Sequence, residues 1–290
     1  MDPDSDACSQ YQQACHAASQ AFSVSIIAVV FTACQQHEPK IVVVPGNKKH
    51  PAGDSPITAI KKVIPPKKIG KTIYLSFDDG PNKGTRNMMH IIKEEAVPVT
   101  LFIIGEQVYY GKEQRALFDS LSHSPYFEIA NHSYTHAFHN HYARFYQEPE
   151  GVINDFKRCA DSLHLSSQII RTPGRNIWRV GNINSTDLKA SKATADSLAA
   201  VGYTEMGWDL EWQFDNQNKL KFGADEMLDR IDKFFINHLN RTDGHLVLLA
   251  HDQTFADAAD SSELSQLIKK LKAKNCYEFE TVNKYPGVNR

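Results

Sequence analysis

From Thr72 onward the chain alternates short β-branched and apolar runs with longer stretches of helical period, and no other feature constrains its fold as tightly. Predicted strands cover residues 72–77, 99–104, 127–130, 169–171, 203–208, 246–250 and 277–282. Predicted helices cover 85–95, 113–121, 151–163, 191–201, 224–239 and 262–274. In the 224–239 segment, Met227, Leu228, Ile231, Phe234 and Phe235 recur at the spacing that lines one side of a helix. Strands alternating with helices form parallel βα units, which either close into a barrel or lie in a doubly wound sheet.

The first 71 residues are of another kind. Residues 21–33 form a short apolar run ending in small residues before Cys34, the length of a signal-peptide core. The segment resembles a bacterial lipoprotein signal, which implies lipidation of Cys34 and anchorage at the cell envelope. No Lys or Arg precedes Lys40, and Asp2, Asp4 and Asp6 oppose the positive start such a signal carries. An apolar helix packed on the domain is the competing reading. Residues 35–71 are rich in Pro and in Lys pairs such as Lys48-Lys49 and Lys67-Lys68, the composition of an extended tether. The expected division is therefore 1–34 signal-like, 35–71 tether and 72–290 catalytic domain.

Composition excludes several functions. With 32 basic and 34 acidic residues the net charge is −2, and no basic stripe offers a nucleic-acid surface. No apolar run is long enough to span a bilayer as a mature helix. The later cysteines, Cys159 and Cys276, form no CxxC pair, so neither a thiolate zinc site nor a disulfide framework is expected.

Four clusters carry chemistry. The first predicted strand runs into Asp78-Asp79-Gly80-Pro81; adjacent ionised carboxylates are costly to bury unpaired, although Asp, Gly and Pro also build turns. His132 and His136 follow the strand at 127–130, and a spacing of four puts both on one side of a helical turn, which suits a divalent metal. Arg171 ends another predicted strand, and an arginine beside a carboxylate favours its ionised form. His251 leaves the run Leu246-Val247-Leu248-Leu249-Ala250; alone it reads equally as a core histidine. Trp208-Asp209-Leu210-Glu211-Trp212 combines aromatics that stack on sugars or fill a core with carboxylates able to orient a histidine. His139 and His141 are read as surface or supporting residues.

In this order, Ser76-Phe77-Asp78-Asp79-Gly80-Pro81, His132-Ser133-Tyr134-Thr135-His136, Arg171-Thr172-Pro173-Gly174 and Leu248-Leu249-Ala250-His251 resemble the motifs of the NodB-homology polysaccharide deacetylases, carbohydrate esterase family four. The resemblance spans residues 72–285. It implies an α/β fold, a distorted, incomplete (β/α) barrel, with Asp79, His132 and His136 holding a divalent metal, Zn2+ or else Co2+ or Ni2+. It further implies Asp78 as general base, Arg171 as its partner and His251 as general acid. Two motifs depart from the pattern. Gly174 and Arg175 follow Pro173 where an aromatic is usual, so Gly174 would keep a backbone N–H for an oxyanion while Trp178 takes over part of the groove. Glu211 precedes Trp212 where Asp is usual, with Asp209 nearby, and which carboxylate orients His251 stays open. Trp212, like Trp178, is an expected sugar contact. The implied substrate is an acetylated polysaccharide, with N-deacetylation of an N-acetylglucosamine glycan ahead of O-acetyl esterase action on xylan; a glycan-binding lipoprotein without catalysis is a third reading.

Overall fold

The structure, a computed structural model, describes residues 70–288. The signal-like segment, Cys34 and nearly all of the tether lie outside them. The β-branched and aromatic run at 72–77 forms the centre of strand β1, Lys71–Gly80, which pairs in parallel with β9 (His245–His251) over Thr72 to Asp78 and with β2 (Val99–Ile103) from Ser76 onward. Next to β2 come β3 (Phe127–Asn131), β4 (Ile169–Ile170) and β7 (Thr204–Glu205), all parallel. An antiparallel pair, β5 (Ile177–Val180) and β6 (Ile183–Thr186), ends the sheet on that side, and β8 (Leu210–Glu211) ends it beyond β9. A short β10 (Tyr277–Phe279) pairs with the start of β1. The sheet curls into an incomplete barrel: among the described residues β6 and β8 do not meet. Of the two architectures the alternation allowed, this is the barrel, left open.

Helices α1 (Thr85–Glu95), α2 (Lys112–Ser122), α3 (Pro149–Leu163), α4 (Lys192–Ala200), α5 (Ala224–Ile236) and α6 (Ala258–Ala273) match the six predicted ones to within a few residues at their ends. Strand periodicity sorts side chains between two apolar layers. Ile73, Leu75 and Phe77 of β1 pack in the cluster that includes Met88 and Ile92 of α1 and Leu264 and Ile268 of α6. Tyr74 points the other way, into a smaller cluster with Phe102, Ala130 and Val247 inside the curl. β9 is buried on both faces, as a central parallel strand requires: Leu246 and Leu248 join the first cluster and Val247 the second.

Two strand expectations are corrected. The run at 203–208 is not one strand: β7 ends at Glu205, and the carbonyls of Met206 and Gly207 accept from the Arg171 guanidinium, so the chain leaves the ladder and re-enters as β8 beside β9. The β5–β6 hairpin was not anticipated; it turns at Gly181, whose φ of 53° is a conformation glycine adopts without strain.

Candidate metal centre

The carboxyl ends of β1, β3, β4 and β9 converge at one end of the sheet. Alternation along β1 turns Ser76 and Asp78 to the inner side and would send Asp79 toward the helices. It does not, because Asp79 has a φ of 74° and the pairing with β2 slips between Asp78 and Gly80. This bulge brings two consecutive carboxylates to one side of the strand.

His132 follows β3 and donates its backbone N–H to Ile103 O at 3.0 Å. His136 opens a turn whose residues Ala137, Phe138 and His139 have φ of 57°, 52° and 60°, in the left-handed region. The pair therefore does not share a face of a right-handed helical turn, as its spacing suggested; a strand end and a left-handed turn converge instead. Asp155 of α3 fixes this loop, accepting from the N–H groups of Tyr134 and Thr135 at 3.1 and 3.2 Å and from Thr135 Oγ1 at 3.0 Å.

Asp79 Oδ1 lies 3.5 Å from His132 Nε2 and 3.3 Å from His136 Nε2. It is buried and makes no hydrogen bond. His132 Nδ1 lies 2.8 Å from Arg171 O, an acceptor only, so that nitrogen carries the ring proton and Nε2 turns its lone pair inward. His136 Nδ1 is likewise taken, by Asn140 Oδ1 at 2.5 Å. Two oriented imidazoles and an orphaned carboxylate oxygen, all three ligand atoms within 4.8 Å of one another, fit a divalent cation. Electrostatics point the same way. Burial works against His132's charge, but Asp78 and Asp79 overcome it and raise its pKa, so the cluster calls for positive charge. Burial lowers His136, against the opposing pull of Asp79. Burial also opposes ionisation of Asp79, yet His136, His132 and His251 together hold it well below the usual carboxylate range. His136 and Asp79 keep 18% and 19% of their side-chain exposure, which leaves the cluster open to solvent.

Asp78 stands beside this cluster and is otherwise engaged. Its Oδ1 accepts from Arg171 Nη1 at 2.7 Å, and its Oδ2 lies 3.6 Å from His132 Nε2. Arg171 is fully enclosed: Nη1 also donates to Ser76 Oγ at 2.9 Å, Nε to Met206 O at 2.9 Å and Nη2 to Gly207 O at 3.0 Å, while the guanidinium lies 4.0 Å from the Phe102 ring centroid. Four hydrogen bonds hold the charge in place.

His251 ends β9 in register with Asp78, its ring 4.8 Å from that of Phe214 and its Nδ1 buried without a partner. The open choice of orienting carboxylate narrows here. Asp209 is taken by backbone, accepting from Arg241 N at 2.9 Å and Val247 N at 2.8 Å, and burial pushes its pKa up to about 6; it does not serve His251. Glu211 is raised by burial, and His251 is the first charge that draws it back.

Gly174 has a φ of 63°, and a Cβ there would meet the Tyr142 ring at 2.8 Å; Tyr142 in turn packs edge-on to His136 at 6.0 Å. The Tyr142 ring thus lies against both Gly174 and His136, and leaves no room for a side chain at Gly174. Two expected sugar contacts are corrected by burial. Trp178 is fully buried, donating to Asn176 Oδ1 and packing on Tyr285, and Trp212 is fully buried with its indole N–H on Phe222 O. Both belong to the core. His139 pairs with Glu106 at the surface, and His141 bonds Phe138 O. The motifs did not reveal Asn140, four residues beyond His136, or Gln253, two beyond His251; each carries a polar amide within one turn of a site histidine, and that proximity was the available signal.

Comparison with known proteins agrees with this fold. The sequence profile described as polysaccharide deacetylase matches residues 66–194. A peptidoglycan-N-acetylglucosamine deacetylase of Bacillus cereus is 25% identical over 239 residues, covering 79% of this chain and 77% of its own length. A chitooligosaccharide deacetylase of Sinorhizobium fredii is 38% identical over 163 residues, covering 55% of this chain and 65% of its own. The crystal structure of a polysaccharide deacetylase from Bacillus cereus superposes with a TM-score of 0.52 at 25% identity, covering 74% of this chain and 94% of that one.

Proposed function

We propose that this chain, which belongs to the polysaccharide deacetylase family, removes N-acetyl groups from a glycan containing N-acetylglucosamine, with a divalent cation held by Asp79, His132 and His136. The observation that carries the reading is Asp79 Oδ1, buried and unbonded between two imidazole nitrogens, beside a second carboxylate committed to an arginine. Nitrogen and oxygen donors in this number suit Zn2+, with Co2+ or Ni2+ as substitutes. When bound, such a cation polarises the acetyl carbonyl and acidifies a water.

The chain's own residues then have distinct work. Asp78 takes the proton of the attacking water as oxygen bonds to the carbonyl carbon, and Arg171 holds Asp78 in position through its Nη1. The backbone N–H of Gly174 donates to the developing oxyanion. His251 gives its proton to the sugar nitrogen as the carbon–nitrogen bond breaks, releasing acetate and a free amine, and Glu211 balances the imidazolium charge. We further propose that lipidated Cys34 anchors the enzyme at the cell envelope; loss of fatty-acid labelling in Cys34→Ala is the expected result, and undiminished labelling overturns it.

The test of function is acetate release from peptidoglycan, a chitin-like glycan and acetylated xylan, after chelation and with metal added back. Release from the N-acetylated polymers that chelator abolishes and Zn2+ restores is expected. Release from xylan alone would replace amide with ester hydrolysis, and no release from any polymer would leave only glycan binding.

A further inference from the structure

Asp79 has a neutral neighbour that the metal cluster leaves out. Gln253 Nε2 donates to Asp79 Oδ2, the oxygen turned from the imidazoles, at 3.1 Å. The two ends of a glutamine amide have nearly the same shape, so something must decide which faces the carboxylate. A chain of partners decides it. Gly84 N–H donates to Asn82 Oδ1 at 3.0 Å, which fixes the Asn82 oxygen and turns its nitrogen the other way. That nitrogen donates to Gln253 Oε1 at 3.2 Å, to the Asp79 carbonyl at 3.1 Å and to Asp252 Oδ1. With Oε1 held as acceptor, Gln253 presents its N–H to Asp79. The segment carrying Gln253 is itself pinned. Buried Asp252 accepts from Thr85 as well as Asn82, and the backbones approach so closely that a Cβ on Gly84 would fall 1.7 Å from the Asp252 carbonyl oxygen.

We infer that Gln253 is a positioning residue: by binding Asp79 Oδ2 it leaves Oδ1, between His132 and His136, as the one oxygen offered to a cation. This rests on the reading of Asp79, His132 and His136 as cation ligands. A hydrogen bond to a ligating carboxylate fixes its rotation, and loss of such a partner commonly weakens metal binding about 10–100-fold. Asn82 acts one step further out, by fixing the amide of Gln253.

The experiment measures Zn2+ affinity by competition, and the visible spectrum of the Co2+ form, in the chelator-stripped full chain and its variants. Gln253→Ala removes the amide, and Gln253→Met keeps its length without a donor. Both are expected to raise the Zn2+ Kd about 10–100-fold. Both are also expected to weaken the Co2+ absorption bands, as a freed carboxylate engages through both oxygens, while the Tm of the metal-free protein stays unchanged. Asn82→Ala should shift the Kd the same way by less. Unchanged Kd and spectrum in both Gln253 variants overturn its role and leave the ligand assignment standing. A wild-type chain that binds neither Zn2+ nor Co2+ overturns both.

Discussion

Asp78 and Glu205 are both carboxylates on strands of one sheet, both almost sealed from solvent, and the protein treats them in opposite ways. Asp78 leaves β1 at the mouth of the curl and receives the Arg171 guanidinium at 2.7 Å. Glu205 sits in β7 with neither oxygen hydrogen-bonded, although β5 brings Arg179 into register beside it. Arg179 is spent elsewhere, on Asp196, Thr186 and two backbone carbonyls. Burial then pushes Glu205 up to about 8, which leaves it protonated at neutral pH. The difference lies in provision: Asp78 has a dedicated guanidinium at an open strand end, whereas Glu205 has burial alone, which makes it a neutral filler.

The sharpest way to break this contrast is Asp78→Asn, which keeps the shape and removes the proposed base. Acetate release should fall about 1,000-fold, within the range for losing a general base, while Zn2+ binding persists. Equal activity would remove Asp78 from the chemistry. Next is Arg171→Met, which strands the Asp78 charge in the interior; urea unfolding should show a loss of about 3–5 kcal/mol at neutral pH. Glu205→Gln should act oppositely. Because the folded-state pKa lies above the unfolded one, the native state holds a proton the unfolded chain gives up between about pH 4.5 and about 8. Stability from this group is therefore full below that window and declines as pH rises through it, by up to about 1.4 kcal/mol per unit. The variant should flatten the slope of Tm against pH there and be the more stable protein at pH 8; identical slopes would show that Glu205 ionises normally. The smallest effect separates Glu211 from Asp209. Glu211→Gln should lower kcat about tenfold with little change in Tm, since its field acts on His251. Asp209→Asn should cost about 1–2 kcal/mol of stability through its backbone bonds and leave kcat alone. The reverse pattern would exchange their roles.

Much of this site was legible because its residues end strands that pattern marks clearly. The alternation before Asp78 and the unbroken apolar run before His251 fixed both at strand exits, and β1 and β9 carry them in register. What pattern missed was backbone of unusual hand and side chains of ordinary type. The His132–His136 spacing reads as helical in any sequence, and only the left-handed turn, held by Asp155, shows how the rings meet. Trp178 looked like a sugar platform because aromatics serve cores and clefts alike; its strand was overlooked even though Gly181-Asn182 between two β-branched runs is a hairpin signal. Gln253 has no motif value, since its meaning lies wholly in the amide it turns to Asp79.

Equilibrium dialysis of the chelator-stripped chain against Zn2+, alongside Asp79→Ala, tests the central claim most directly. The account predicts close to one tightly held ion per wild-type chain and none in the variant. Retention of the ion by Asp79→Ala, or its absence from the wild type, would contradict it.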